Sequence, residues 1–66
     1  MPGGQEANVF HGFFVDMPGR GGIRMKSVMT NQPVVATHIY KNYPDAQRDP
    51  MWPRMRYLGL VVFSQD

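Results

Sequence analysis

The chain has 66 residues, no cysteine, and seven Lys and Arg against five Asp and Glu, which leave it at +2. A domain this small buries only about 60% of the surface its unfolded form exposes, and disulfides and thiolate metal sites are excluded, so association is the remaining route to extra stability. A net charge of this size does not by itself make a nucleic-acid binder.

Residues 1–7, with Pro2, Gly3 and Gly4, carry no apolar period and are read as a flexible N-terminal tail. Residues 8–66 are read as a single small β domain. The start has neither the basic nor the apolar region of a signal peptide. No apolar run approaches the roughly 20 residues that span a bilayer, so a cytoplasmic protein without a membrane role is expected. The first strand is predicted over 8–16. Val9, His11, Phe13 and Val15 share one face, and Phe10, Gly12, Phe14 and Asp16 share the other. Both faces carry aromatics. Gly12 between large neighbours marks a bulge or a close backbone approach.

Met17-Pro18-Gly19-Arg20-Gly21-Gly22 reads as a turn, with Pro18 presetting φ and Gly19 accepting the positive φ of type II. A phosphate cradle would need Gly-Lys-Ser/Thr leading into a helix, whereas here a strand follows. That strand is predicted over 23–30 and the next over 33–42. A two- or four-residue loop at Asn31-Gln32 sets Met25 against His38, Ile23 against Tyr40, Met29 against Val34 and Ser27 against Ala36. A three-residue loop shifts this by one.

In residues 43–53 three prolines, Pro44, Pro50 and Pro53, exclude a long helix. Asp49-Pro50 favours a single helical turn, and a second can start near Pro44 and Asp45. Trp52 stands among these prolines either as a lid over the sheet or as an anchor for a partner beside Arg54 and Arg56, since Trp and Arg dominate binding hot spots. The last strand is predicted over 55–64. Its run from Leu58 to Phe63 is wholly apolar or glycine, which fits a strand covered on both faces, one of them by another chain or simply as the centre of the sheet.

The predicted fold is therefore all-β, or β with one or two single helical turns. It has four antiparallel strands in a curled sheet or small open barrel, SH3-like or OB-like by analogy only. Ser27, Ser64, Thr30 and Thr37 are the candidate nucleophiles, and no motif joins any of them to His11 or His38, so no enzyme, no cofactor and no metal site is expected.

Two functions remain. In the first, the surplus of apolar and Met side chains makes a non-enzymatic protein-binding module: a regulator or inhibitor that docks on a larger assembly, or a homodimer, with Trp52, Arg54 and Arg56 at its site. In the second, the segment between Asp16 and Asp45, which lacks any acidic residue, binds nucleic acid. Arg20, Arg24, Lys26 and Lys41 would then contact phosphates while Tyr40, Tyr43 or Trp52 stack on bases.

Overall fold

The computed structural model describes residues 8–19 and 21–64. The tail read over 1–7 and the loop-tip residue Arg20 lie outside the described residues. Among these residues there are five strands: β1 (Val9–Phe14), β2 (Ile23–Ser27), β3 (Pro33–Ala36), β4 (His38–Tyr40) and β5 (Arg56–Phe63). They form one antiparallel sheet in the order β3-β2-β5-β1-β4. A one-turn helix, α1 (Tyr43–Ala46), and a 3-10 turn at Trp52–Arg54 complete the small, mostly β fold. Among the described residues no helix is long and apolar enough to cross a membrane.

The strand predicted over 33–42 is divided at Thr37. Its first half pairs with β2 and its second with β1, so the two edge strands of the sheet are halves of one segment. The sheet must therefore curl until its edges approach one another at this residue, although no ladder joins β3 to β4. Thr37 fixes the corner with both its backbone and its side chain. Its N–H donates to the Phe13 carbonyl at 2.8 Å, and its hydroxyl accepts from the Val15 N–H at 2.8 Å.

The β2–β3 register also differs from expectation. Ile23 faces Ala36, Arg24 faces Val35, Met25 faces Val34 and Lys26 faces Pro33. The loop lies earlier, between Ser27 and Gln32, whose N–H···O bond closes it at 2.8 Å. Two local features place it there. The Ser27 hydroxyl accepts from the Thr30 N–H at 3.2 Å, and Asn31 takes the left-handed conformation at φ 61°. The shift is an even number of residues, so β2 and β3 keep their predicted faces. Beyond Thr37 the faces exchange: Ile39, expected beside Arg24 and Lys26, packs in the core with Met25, and His38 and Tyr40, expected on the Met25 side, lie on the opposite face.

The concave side of the sheet holds an aliphatic core. Met25, Ala36 and Val61 are buried there, with Phe10, Val34, Ile39 and Leu58 packed against them. Both edges contribute to it, which is the packing reason for the curl. Gly12 belongs to this side because a Cβ at its position would stand 3.0 Å from Val61 Cγ2. The irregularity expected near Gly12 is present, but the extra residue is on β5: Gly12 pairs with Gly59 and Phe13 with Tyr57, leaving Leu58 unpaired. Gly59 makes the bulge with φ 94°, a conformation costly for any residue with a side chain.

That bulge resets the alternation of β5. Leu58 turns into the concave core beside Val61, and Tyr57 joins the outer face with Leu60 and Val62. The strand is central in the sheet, yet it is not covered on both faces. Val61 is fully buried, whereas Leu60 is 42% exposed and Phe63 is 48% exposed.

Candidate functional site

The outer face can be followed row by row from the strand pairings. One row runs Pro33, Lys26, Val62, Val9. The next runs Leu60, His11, Tyr40, and it is extended by Val28, whose N–H donates to the Leu60 carbonyl at 3.0 Å. A third contains Tyr57, Phe13 and His38. This face divides into two halves of different chemistry.

The half around Phe13 is covered over Phe13 itself, while Tyr57 at its margin stays 45% exposed. Segment 43–55 folds back over Phe13 and places the Tyr43 and Trp52 rings 5.9 and 5.8 Å from the Phe13 ring. Tyr57 packs 5.2 Å from Phe13 and 5.4 Å from Tyr43, and Trp52 meets Tyr43 edge-on at 5.6 Å. His11 closes the cluster, its Nδ1 2.8 Å from the Tyr57 hydroxyl. Partial desolvation among these rings, and then the neighbouring Tyr43, push the Tyr57 hydroxyl above the ordinary tyrosine value. The rings touch one another, so they fill the space between them and leave no cage for a cation.

Asp49 pins this cover to the sheet. One carboxylate oxygen accepts from the Met51 N–H at 2.8 Å, which starts the turn expected at Asp49-Pro50, and the other accepts from the Tyr40 hydroxyl at 2.6 Å. The Asp49 side chain is only 9% exposed. The Tyr40 hydroxyl, the Met51 N–H and the charge of His38 hold its carboxyl below the usual aspartate range against the opposing effect of burial. The same hydrogen bond, with burial and the charges of Asp49 and Asp45, raises Tyr40.

Thr37, His38 and Asp49 form the outline of a hydroxyl–imidazole–carboxylate relay. Thr37 Oγ1 lies 2.9 Å from His38 Nδ1, but His38 Nε2 lies 4.0 Å from Asp49, too far for a hydrogen bond. The hydroxyl is also held by the Val15 N–H and lies 3.4 Å from the Phe13 carbonyl. Its geometry is that of a corner staple. Among the described residues no three of His, Asp and Glu gather as a metal site.

The other half of the outer face is open. Leu60, Val28 and Val35 are 42%, 47% and 48% exposed, Val9 and Val62 are half-buried, and Met29 stands at the hairpin tip 92% exposed. Arg24 and Lys26 lie on the same face of β2. A groove of about 350 Å³ opens at its margin, lined by Arg24, Pro33, Val35 and Ser64 among others.

The structure scatters the residues singled out from sequence. Trp52 is half-buried in the cover, while Arg54, at the end of the 3-10 turn, and Arg56, at the start of β5, are exposed near it. Arg24 and Lys26 stand at the opposite end of the sheet. Lys41 lies 4.8 Å over the Phe10 ring. Tyr40 gives its hydroxyl to Asp49, and Tyr43 spends its ring on four aromatic neighbours. Sequence reasoning did not single out Leu60, Val62 and Val28 as a surface, since only the bulge and the register reveal that they share one. Compared with protein-family models, with curated proteins and with solved structures, the chain matches none.

Proposed function

We propose that this chain is a small non-enzymatic protein-binding module that acts in the cytoplasm by docking a partner on the open half of its outer face. One observation carries the reading. On a single sheet face the chain covers Phe13 with its own segment 43–55, yet leaves Leu60, Val28 and Val35 bare on and beside the central strand. Exposed apolar side chains grouped in this way mark interaction surfaces more often than solvated ones. Trp52 contributes by holding the cover, with Arg54 and Arg56 at the far rim. Nucleic-acid binding is the weaker reading. Base stacking needs accessible rings, and Tyr40, Tyr43 and Trp52 are tied into the covered half.

The test compares capture from a lysate by the chain and by its Val28→Ser, Leu60→Ser variant, with and without nuclease, read by mass spectrometry. The expected result is a protein captured by the parent alone, insensitive to nuclease, with the melting temperature of the variant unchanged. Equal capture by both, or loss of capture on nuclease treatment, would count against the reading.

A further inference from the structure

The two halves of segment 33–42 lie at opposite edges of the sheet and meet at a single residue. Thr37 is the whole connection between β3 and β4, and it makes the corner without a positive φ. The local sequence asks for no corner. Val34, Val35, Thr37, Ile39 and Tyr40 all favour extended strand, and residues 34–42 contain neither glycine nor proline. What bends the chain is the set of contacts at Thr37. Its N–H donates to the Phe13 carbonyl, its hydroxyl accepts from the Val15 N–H, and His38 Nδ1 lies 2.9 Å from that hydroxyl.

Beyond this corner the β2–β3 hairpin is a separable piece. It joins the rest of the sheet along one seam, where Met25, Lys26 and Ser27 pair with Phe63, Val62 and Val61. From it Met25, Ala36 and Val34 enter a core that Val61, Phe10 and Leu58 complete from the other strands. The chain arrives at the hairpin through residues 15–22, which start at the same corner because Val15 is bonded to Thr37. Extended, that connection reaches roughly 25 Å.

We infer that Thr37 is a hinge through which two copies of this chain exchange their β2–β3 hairpins. With the corner straightened, residues 33–42 run on as one strand. The hairpin leaves its own β5 for that of a second copy, whose hairpin returns the exchange. Seam and core are then remade between chains, so a second copy fits the vacated seam with no new complementarity. The closed and exchanged forms differ only at the corner and in the entropy of association. The inference does not need the docking reading. If both hold, Val28 and Val35 of one copy stand beside Leu60 and Val62 of the other, and the docking half is completed by the second copy. Edge-to-edge pairing of β3 is a poorer route to a dimer, since Pro33 has no N–H and the Thr37 N–H is already bonded to Phe13.

The chain has no cysteine, so the seam can be marked by an introduced pair. Lys26→Cys with Val62→Cys sets thiols at paired positions of β2 and β5. The disulfide links a chain to itself in the closed form and two chains to each other in the exchanged form. The protein is refolded from denaturant at high concentration and separated by size, and each fraction is oxidised, then denatured and sized without reductant. The inference expects a dimer fraction whose link joins two chains and a monomer fraction linked within one. Without the cysteine pair, Thr37→Val deprives the N–H of fully buried Val15 of its acceptor in the closed form. It should raise the dimer-to-monomer ratio about tenfold or more at equal concentration, whereas Thr37→Ser, which keeps the hydroxyl, should stay within about twofold of the parent. A dimer fraction linked within single chains, a protein that stays monomeric at every concentration, or a Thr37→Val ratio equal to that of the parent would overturn the hinge. If circular dichroism shows Thr37→Val unfolded, the position of the link in the cysteine pair decides alone.

Discussion

The two halves of the outer sheet face are built on the same strands, β1 and β5, and they have opposite fates. Around Phe13 the side chains are aromatic, and a proline-punctuated segment returns over them, pinned through Asp49 to Tyr40. Around Leu60 they are aliphatic, and no described segment returns. A strand that is apolar along its length therefore does not report burial along its length. What decides coverage is whether the connection before it is long enough and anchored well enough to fold back. Segment 43–55 has that length and the Asp49 anchor, whereas the short hairpin between β2 and β3 reaches only as far as Val28.

If the halves differ in this way, truncation should cost stability on one side only. The largest effect is expected at Phe13, which is fully buried beneath three rings. Phe13→Ala should lose about 3–5 kcal/mol, close to the whole stability of a domain this size, and urea denaturation would find little folded protein. Trp52 is half-buried, so Trp52→Ala should lose roughly 2 kcal/mol, less than is usual for a fully enclosed ring, with the sheet still formed by circular dichroism. A loss below about 0.5 kcal/mol would mean that the cover is not held by its tryptophan.

The division of β5 into faces depends on its bulge. At Gly59 a Cβ meets no atom within 4 Å, so Gly59→Ala tests the φ of 94° alone. It should cost about 1–2 kcal/mol in chemical denaturation, and a stabilised protein would show that the bulge is not required.

The anchor of the cover should show in pH. Asp49 is lowered on folding, so its contribution is present above the unfolded aspartate value of about 3.9 and is lost as pH falls through the lower folded value. Tyr40 is raised, so its contribution is present below about 10 and is lost as pH rises through the raised value. Tyr40→Phe should flatten the fall in melting temperature below about pH 4 relative to the parent. Parallel curves would detach Tyr40 from the anchor.

Much of this architecture is legible in the residues. Alternation around Gly12 places Phe10 and Phe13 on opposite faces, and Pro18-Gly19 marks its turn, where Gly19 has φ 78°. Three features escape sequence reasoning for physical reasons. Thr37 looks like one more β-branched residue in a continuous strand, because exchange of partners at a corner leaves no local signal when the hydroxyl replaces the missing ladder bonds. The hairpin is centred by Ser27 and Asn31, whose side-chain and left-handed preferences are weaker in appearance than Asn31-Gln32 read as the turn before a strand at Pro33. The open patch is invisible because the bulge at Leu58-Gly59 breaks the period of two that would otherwise group Tyr57 with Val61. Asp49 is recognised only as the start of a turn, since its second hydrogen bond comes from a residue placed beside it by the sheet.

The most direct measurement is methyl NMR of the Leu, Val and Met side chains with a soluble paramagnetic agent, before and after addition of the captured partner protein. In the free chain the Leu60, Val28 and Val35 methyls should relax strongly while those of Val61 and Met25 stay protected, and the partner should protect Leu60 and Val28 first. Protection of Leu60 and Val28 in the free chain, or protection by the partner elsewhere with those two unchanged, would contradict a divided outer face whose open half is the docking surface.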